Sequence, residues 1–168
     1  MHVSLVGSEM CIRDSINRLK LKQAKVIIFS PGPGNPKNYP STSKIYYQFK
    51  GKKKMIGICL GFQQILFCEG AKIVEQNKIY HGYQSRVKVI NKSSIFEKNK
   101  IFKVGRYHSL KLKEPFKINN FDITMRCLES KVAMAFENNK DKIYGFQFHP
   151  ESFLTNNGNL LIKKILSA

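Results

Sequence analysis

At 168 residues the chain is long enough for one domain with a substantial core, and 29 Lys+Arg against 11 Asp+Glu give it a net charge of +18. No apolar run approaches the ~18 residues needed to cross a membrane, and the four cysteines show no CxxC or metal-ligand spacing, which argues against a metal site and for a reducing cytoplasm. The lysines are scattered beside Asn and Ile, as at Asn91-Lys92 and Asn138-Asn139-Lys140, which is the bias of an AT-rich genome and not a groove for nucleic acid.

Residues 1–15 read as translated vector or adaptor sequence, a leader outside the domain, which then occupies 16–168. The apolar run Ala24–Phe29 predicts a buried strand. It leads into Ser30-Pro31-Gly32-Pro33-Gly34. Two glycines held between prolines make either a rigid loop whose N–H groups a ligand can approach closely, or an ordinary strand-ending turn. A helix is expected around Lys44–Lys50, and the densest basic run, Lys52-Lys53-Lys54, reads as a solvated loop.

Lys54–Ile58 predicts a second buried strand, and Phe62–Phe67 repeats apolar residues at helical spacing up to Gly70. Between them, Gly57-Ile58-Cys59-Leu60-Gly61 puts a cysteine between two glycines on a strand-to-helix turn. This is the nucleophile-elbow pattern with sulfur in place of oxygen. The helix start turns backbone N–H groups and the positive end of its dipole toward that sulfur. Taken alone, the pentapeptide suits a small buried cysteine equally well. Cys68 and Cys127 read as core residues of that kind.

Strands follow near Lys72–Val74, Arg86–Ile90, Ile123–Cys127 and Val132–Glu137, with a segment around Arg106–Leu110 among them. Ile143–Phe148 predicts a strand that delivers His149 at its end, where Pro150 stops regular pairing. Glu151 stands two residues on, close enough to hydrogen-bond the same imidazole and set its tautomer. A thiol nucleophile needs such a base and orienter, so Cys59, His149 and Glu151 form the candidate triad. An amphipathic helix is expected from Gly158 to Leu166. Strands alternating with helices, then hairpin-like strands, predict an α/β domain. Its sheet is mixed and mostly parallel, flanked by helices, with a small antiparallel part.

Together the three blocks Ser30-Pro31-Gly32-Pro33-Gly34, Gly57-Ile58-Cys59-Leu60-Gly61 with Gln63, and Phe148-His149-Pro150-Glu151-Ser152 resemble the class I glutamine amidotransferases. The resemblance runs from about Ala24 to the C-terminus. Gly105-Arg106-Tyr107-His108-Ser109-Leu110, His81-Gly82, and Ser152-Phe153-Leu154-Thr155 followed by Gly158 are similar to the subunits that serve chorismate-using enzymes. The resemblance implies that Cys59 attacks the side-chain amide of L-glutamine, that His149 moves the proton and that Glu151 orients His149. It implies an oxyanion site from the Leu60 N–H and one N–H of the Gly32-Pro33-Gly34 loop, and substrate contacts from Gln63, Ser109 and Leu110. The implied partner is the large subunit of anthranilate synthase or, sharing nearly all these motifs, of aminodeoxychorismate synthase. Neither cofactor nor metal is implied. A catalytically silent docking subunit of the same fold is the alternative from another class, against which the intact triad argues.

The chain departs from the family in two places. Phe62 stands where the family commonly has His or Met, on the elbow helix, so an altered pocket wall or partner contact is expected there. The family also opens with a strand, a helix and a second strand before the proline-glycine loop, and nothing ahead of Ala24 matches that start. The strand–helix–strand unit is therefore expected to be missing.

Overall fold

The computed structural model describes Val3–Val6 and residues 18–168. Its strands and helices follow the chain as β1 (Val3–Val6), α1 (Arg18–Gln23), β2 (Val26–Phe29), α2 (Pro40–Phe49), β3 (Lys54–Ile58), α3 (Leu60–Cys68) and β4 (Ile73–Glu75). After these come β5 (Tyr83–Val89), β6 (Ile101–Arg106), β7 (Leu110–Leu112), β8 (Asp122–Cys127), β9 (Ala133–Asn138), β10 (Ile143–Phe146) and α4 (Gly158–Ser167). A single 3₁₀ turn, Pro36–Asn38, precedes α2.

Eight strands form one sheet in the order β1-β2-β3-β10-β9-β8-β5-β6, and β4 pairs with β7 in a small second sheet. The first four run parallel, and from β10 onward each neighbour is antiparallel. The central strands read as unbroken apolar runs because both of their faces are covered. In β2, Ile27 and Phe29 point to one face, where α2 and α3 bring Ile45, Tyr46, Phe62, Ile65 and Leu66. Val26 and Ile28 point to the other, which Leu161 and Ile165 of α4 cover together with Phe146 and Phe148. Each large side chain removed from water in these layers contributes roughly 1.5–3 kcal/mol.

Three local readings change on contact with the fold. The expected absence of a strand–helix–strand start is corrected, since β1 and α1 precede β2 and Val3 to Val6 pair with Val26 to Phe29. An apolar run beside an open parallel edge satisfies that edge's N–H and C=O groups whatever motif it carries. The rest of the leader, residues 1, 2 and 7–15, lies outside the described residues. The helix expected around Lys44 begins earlier, at Pro40, whose missing N–H costs nothing in the first turn.

The lysine run is also more than a solvated loop. Lys53 Nζ donates to Lys22 O and Ala24 O at 2.6 and 2.5 Å. Lys54 Nζ donates to Ile165 O and Leu166 O at 2.9 and 2.8 Å, closing the end of α4. Cations at helix C-termini satisfy orphan carbonyls and oppose the dipole. Among the described residues no helix is long and apolar enough to cross a membrane.

Candidate active site

The carboxyl ends of β2, β3 and β10, three neighbours in the sheet, each release one of the sequence blocks. Crevices at the carboxyl ends of parallel strands are the usual ligand sites of such sheets. Register does the alignment: Ile58 pairs with Phe146, and Cys59 N donates to Phe146 O at 2.8 Å. The cysteine therefore leaves its strand beside Gln147, two residues before His149.

Cys59 caps α3 with φ 52° and ψ −101°, a left-handed backbone uncommon outside glycine. The glycines around it serve close packing. A Cβ on Gly57 would lie 2.5 Å from Gly61 O, and one on Gly61 would penetrate Phe29 O. The helix is thus pressed against the ends of two strands, and the thiol is held at the turn with 6 % exposure.

His149 is placed by its backbone, which donates to Gly105 O at 3.0 Å, and its ring lies 4.9 Å from that of Tyr107. Its Nδ1 meets Glu151 Oε1 at 2.6 Å. Nε2 is buried and makes no hydrogen bond among the described residues. Burial works against charge on this ring, but the Cys59 sulfur and the Glu151 carboxylate outweigh it and raise the pKa from 6.5 to about 9. Burial opposes charge on Glu151 too, and its hydrogen bond to His149 wins, holding the carboxyl below its ordinary range.

A raised folded-state pKa means that this pairing stabilises the fold fully below about 6.5 and loses its contribution as the pH rises through about 9. An NMR titration should place the His149 midpoint near 9. Cys59→Ala and Glu151→Gln should each lower it. A native midpoint near 6.5 would mean that neither neighbour acts on the ring.

A cavity of about 120 Å³ opens in front of Cys59. The Gly32-Pro33-Gly34 loop forms one wall, Leu60 and Gln63 the floor on α3, and Ser109 and Leu110 the opposite wall. All seven residues expected to meet the substrate therefore face one space. Tyr39 steadies the loop, its hydroxyl donating to Pro33 O at 2.7 Å. A larger cavity of about 790 Å³ is lined by Ser30, Pro31, Ile58, Glu151 and the start of α4. The small cavity is the one that contains the sulfur. Phe62 reaches neither the surface nor this cavity; it is fully buried against Phe136, at 5.2 Å between ring centres.

Sequence reasoning missed Gln147, Tyr107 and His108. Tyr107 and His108 complete the cavity lining. Gln147 is fully buried, accepts from Gln63 Nε2 at 3.0 Å and points its own amide at Cys59 Sγ, 3.9 Å away. The strand expected to run to Phe148 ends at Phe146, so Gln147 lies past the regular alternation that could have pointed to it. Cys127 is buried as expected, whereas Cys68 is only partly covered, and Cys59, Cys68 and Cys127 are all free thiols. No group of metal-ligating side chains occurs among the described residues.

The family profile of "Glutamine amidotransferase class-I" matches residues 2–168. "Anthranilate synthase component 2" of Lactococcus lactis is 38% identical over 155 residues, covering 92% of this chain and 78% of that protein. The protein of the same description from Buchnera aphidicola of Schizaphis graminum is 35% identical over 169 residues, covering 99% of this chain and 83% of its own. The crystal structure of a glutamine amidotransferase from Thermotoga maritima superposes with a TM-score of 0.69 at 17% identity, over 90% of this chain and 77% of that one. At that identity the superposition speaks for the fold.

Proposed function

The chain belongs to the class-I glutamine amidotransferase family, and on that premise we propose that it is the glutaminase subunit of an anthranilate synthase. In this reading it hydrolyses L-glutamine and passes the ammonia to a chorismate-using large subunit. The observation that carries the chemistry is the meeting of an elbow thiol, a carboxylate-paired imidazole and a small polar cavity on three adjacent strand ends. The choice of partner rests on the relatives described as anthranilate synthase component 2.

The Cys59 S–H proton passes to His149, the sulfur attacks the side-chain carbonyl carbon of glutamine, and the C=O electrons move onto oxygen. The Leu60 N–H and an N–H of the Gly32–Gly34 loop receive that oxyanion; one such donor is typically worth about 10²–10³ in rate. As the tetrahedral centre collapses, the imidazolium of His149 gives its Nε2 proton to the departing nitrogen, so ammonia leaves neutral. The pKa of about 9 keeps that proton available at neutral pH. A γ-glutamyl thioester remains. Water then attacks it, His149 taking the proton, and glutamate leaves as the thiol reforms.

The experiment is covalent labelling by 6-diazo-5-oxo-norleucine, a glutamine-shaped electrophile, read by intact mass. One adduct per chain, lost in Cys59→Ala, is the expected result. Labelling that persists without Cys59, or that glutamine does not compete away, would remove the assignment. Adding an anthranilate synthase large subunit with chorismate and glutamine should then yield anthranilate.

A further inference from the structure

We propose that Arg106 and His108 are positioning residues for glutamine hydrolysis, holding the Leu110 carbonyl and with it the Ser109–Leu110 wall of the cavity in front of Cys59. The inference rests on the glutaminase reading above and adds residues outside the triad.

Arg106 lies at the end of β6 and is fully buried. Its acceptors are a ring nitrogen, a hydroxyl, a thiol and an amide: His108 Nε2 at 3.0 Å, Ser130 Oγ at 3.2 Å, Cys127 Sγ at 3.5 Å and Gln76 Oε1 at 3.4 Å. Its guanidinium also lies 3.5 Å from the centre of the Tyr80 ring. A cation buried among neutral acceptors adds little net stability, and an apolar side chain of the same volume commonly does as well. What the cation supplies here is direction.

Arginine Nε–H can only donate, so His108 Nε2 must accept. The imidazole is thereby held neutral, with its proton on Nδ1. Nδ1 has two neighbours, Leu110 O at 2.8 Å and the Gln76 amide Nε2 at 3.1 Å. With Nε2 accepting from Arg106, the Nδ1–H donates to the Leu110 carbonyl, and Gln76 Nε2 turns its hydrogen to the His108 carbonyl. Burial, and then the charge of Arg106, push the His108 pKa down to about 4, so the tautomer persists at neutral pH. Tyr80 stacks on the same ring at 6.0 Å and 26°, and Gln76 Nε2 donates to the His108 carbonyl at 2.5 Å.

Leu110 O receives a second donor, Gln63 Nε2 at 3.3 Å. The Gln63 amide also bonds Gln147, whose own amide reaches Cys59 Sγ. An unbroken run of hydrogen bonds thus joins the buried guanidinium to the nucleophile through the wall of the cavity. Fixing that wall before substrate arrives lowers the ordering cost of binding, so the effect belongs mainly in KM.

The test combines ¹⁵N NMR of the native chain with kinetics of three variants. His108 should be the neutral Nδ1–H tautomer between about pH 5 and about pH 9. His108→Phe and Arg106→Met should each raise KM for glutamine about tenfold, one lost buried hydrogen bond, with kcat changed less than about threefold. His108→Asn, whose amide N–H falls close to the place of Nδ1, should bring KM back to within about threefold of native.

A protonated or Nε2–H ring in the native chain overturns the proposal whether or not any variant folds, and so does an unchanged KM in a folded His108→Phe. A native chain that cleaves no glutamine fails the glutaminase reading instead. In that case the tautomer and the Leu110 carbonyl ¹³C shift in His108→Asn decide the positioning claim by themselves.

Discussion

Cys59→Ala is expected to abolish glutamine hydrolysis, lowering kcat by roughly 10⁴-fold or more, while the chain still folds, its urea midpoint lowered only by what Cys59 adds to the His149 pairing. In the proposed mechanism the sulfur forms the acyl bond, and an alanine methyl offers no nucleophile in its place at the elbow. Alanine at this position meets the same φ of 52° that cysteine already tolerates, so the backbone cost is shared by both residues. Little core is lost, since the thiol borders a cavity on one side. Glutamate release by the two proteins, measured at matched concentration, checks it. A variant that hydrolyses glutamine at the native rate would remove Cys59 from the mechanism.

Gly61→Ala should have a large effect on stability, above about 4 kcal/mol, with the melting temperature falling by roughly 8 °C or more. Its Cβ would enter the space of Phe29 O and Phe29 C, backbone atoms that cannot rotate away. Relief requires lifting α3 off β2, which opens the layer containing Phe62, Ile65 and Leu66. Gly70→Ala is the natural comparison. It carries φ +86° with nothing within 4 Å of an added Cβ, so only the left-handed backbone is penalised, at about 1–2 kcal/mol. Denaturant unfolding of both variants separates steric overlap from backbone strain. A Gly61→Ala no worse than Gly70→Ala would mean that α3 stands further from β2 than described.

Much of the site was legible because its pieces are local. The elbow depends on glycines two residues either side of Cys59, and the His149–Glu151 contact spans two residues. Sterics and hydrogen-bond reach over so few residues leave their mark in sequence order. β6 was harder to see. Lys103, Gly105 and Arg106 interrupt it, so Ile101–Arg106 does not read as an apolar run. Arg106 was missed as part of the site for a related reason. A lone arginine in sequence looks like a surface cation, and only Gln76, Tyr80, Cys127 and Ser130, brought from other segments, show that it is enclosed.

The lysines before β3 make the same point in energetic terms. Lys54 closes a helix whose carbonyls lie 111 and 112 residues further along the chain. No window of sequence contains both partners. By contrast the edge position of β1 follows from a vacancy in the sheet, which a short apolar run can fill with very little sequence information.

The sequence by itself placed the groups that the proposed chemistry uses: Cys59 at a turn, His149 after a strand, Glu151 within reach of it, and a proline-glycine loop after a strand. Only the tertiary structure decided that these meet. β10 inserts beside β3 although most of a hundred residues separate them, and the parallel register sets Cys59 against Gln147. Strand order is chosen by burial of whole apolar faces and by the hydrogen bonding of every strand edge, sums over many residues that no motif records. The same sums enclosed Arg106 and turned His108 toward Leu110, which is why the support of the cavity became visible only in three dimensions.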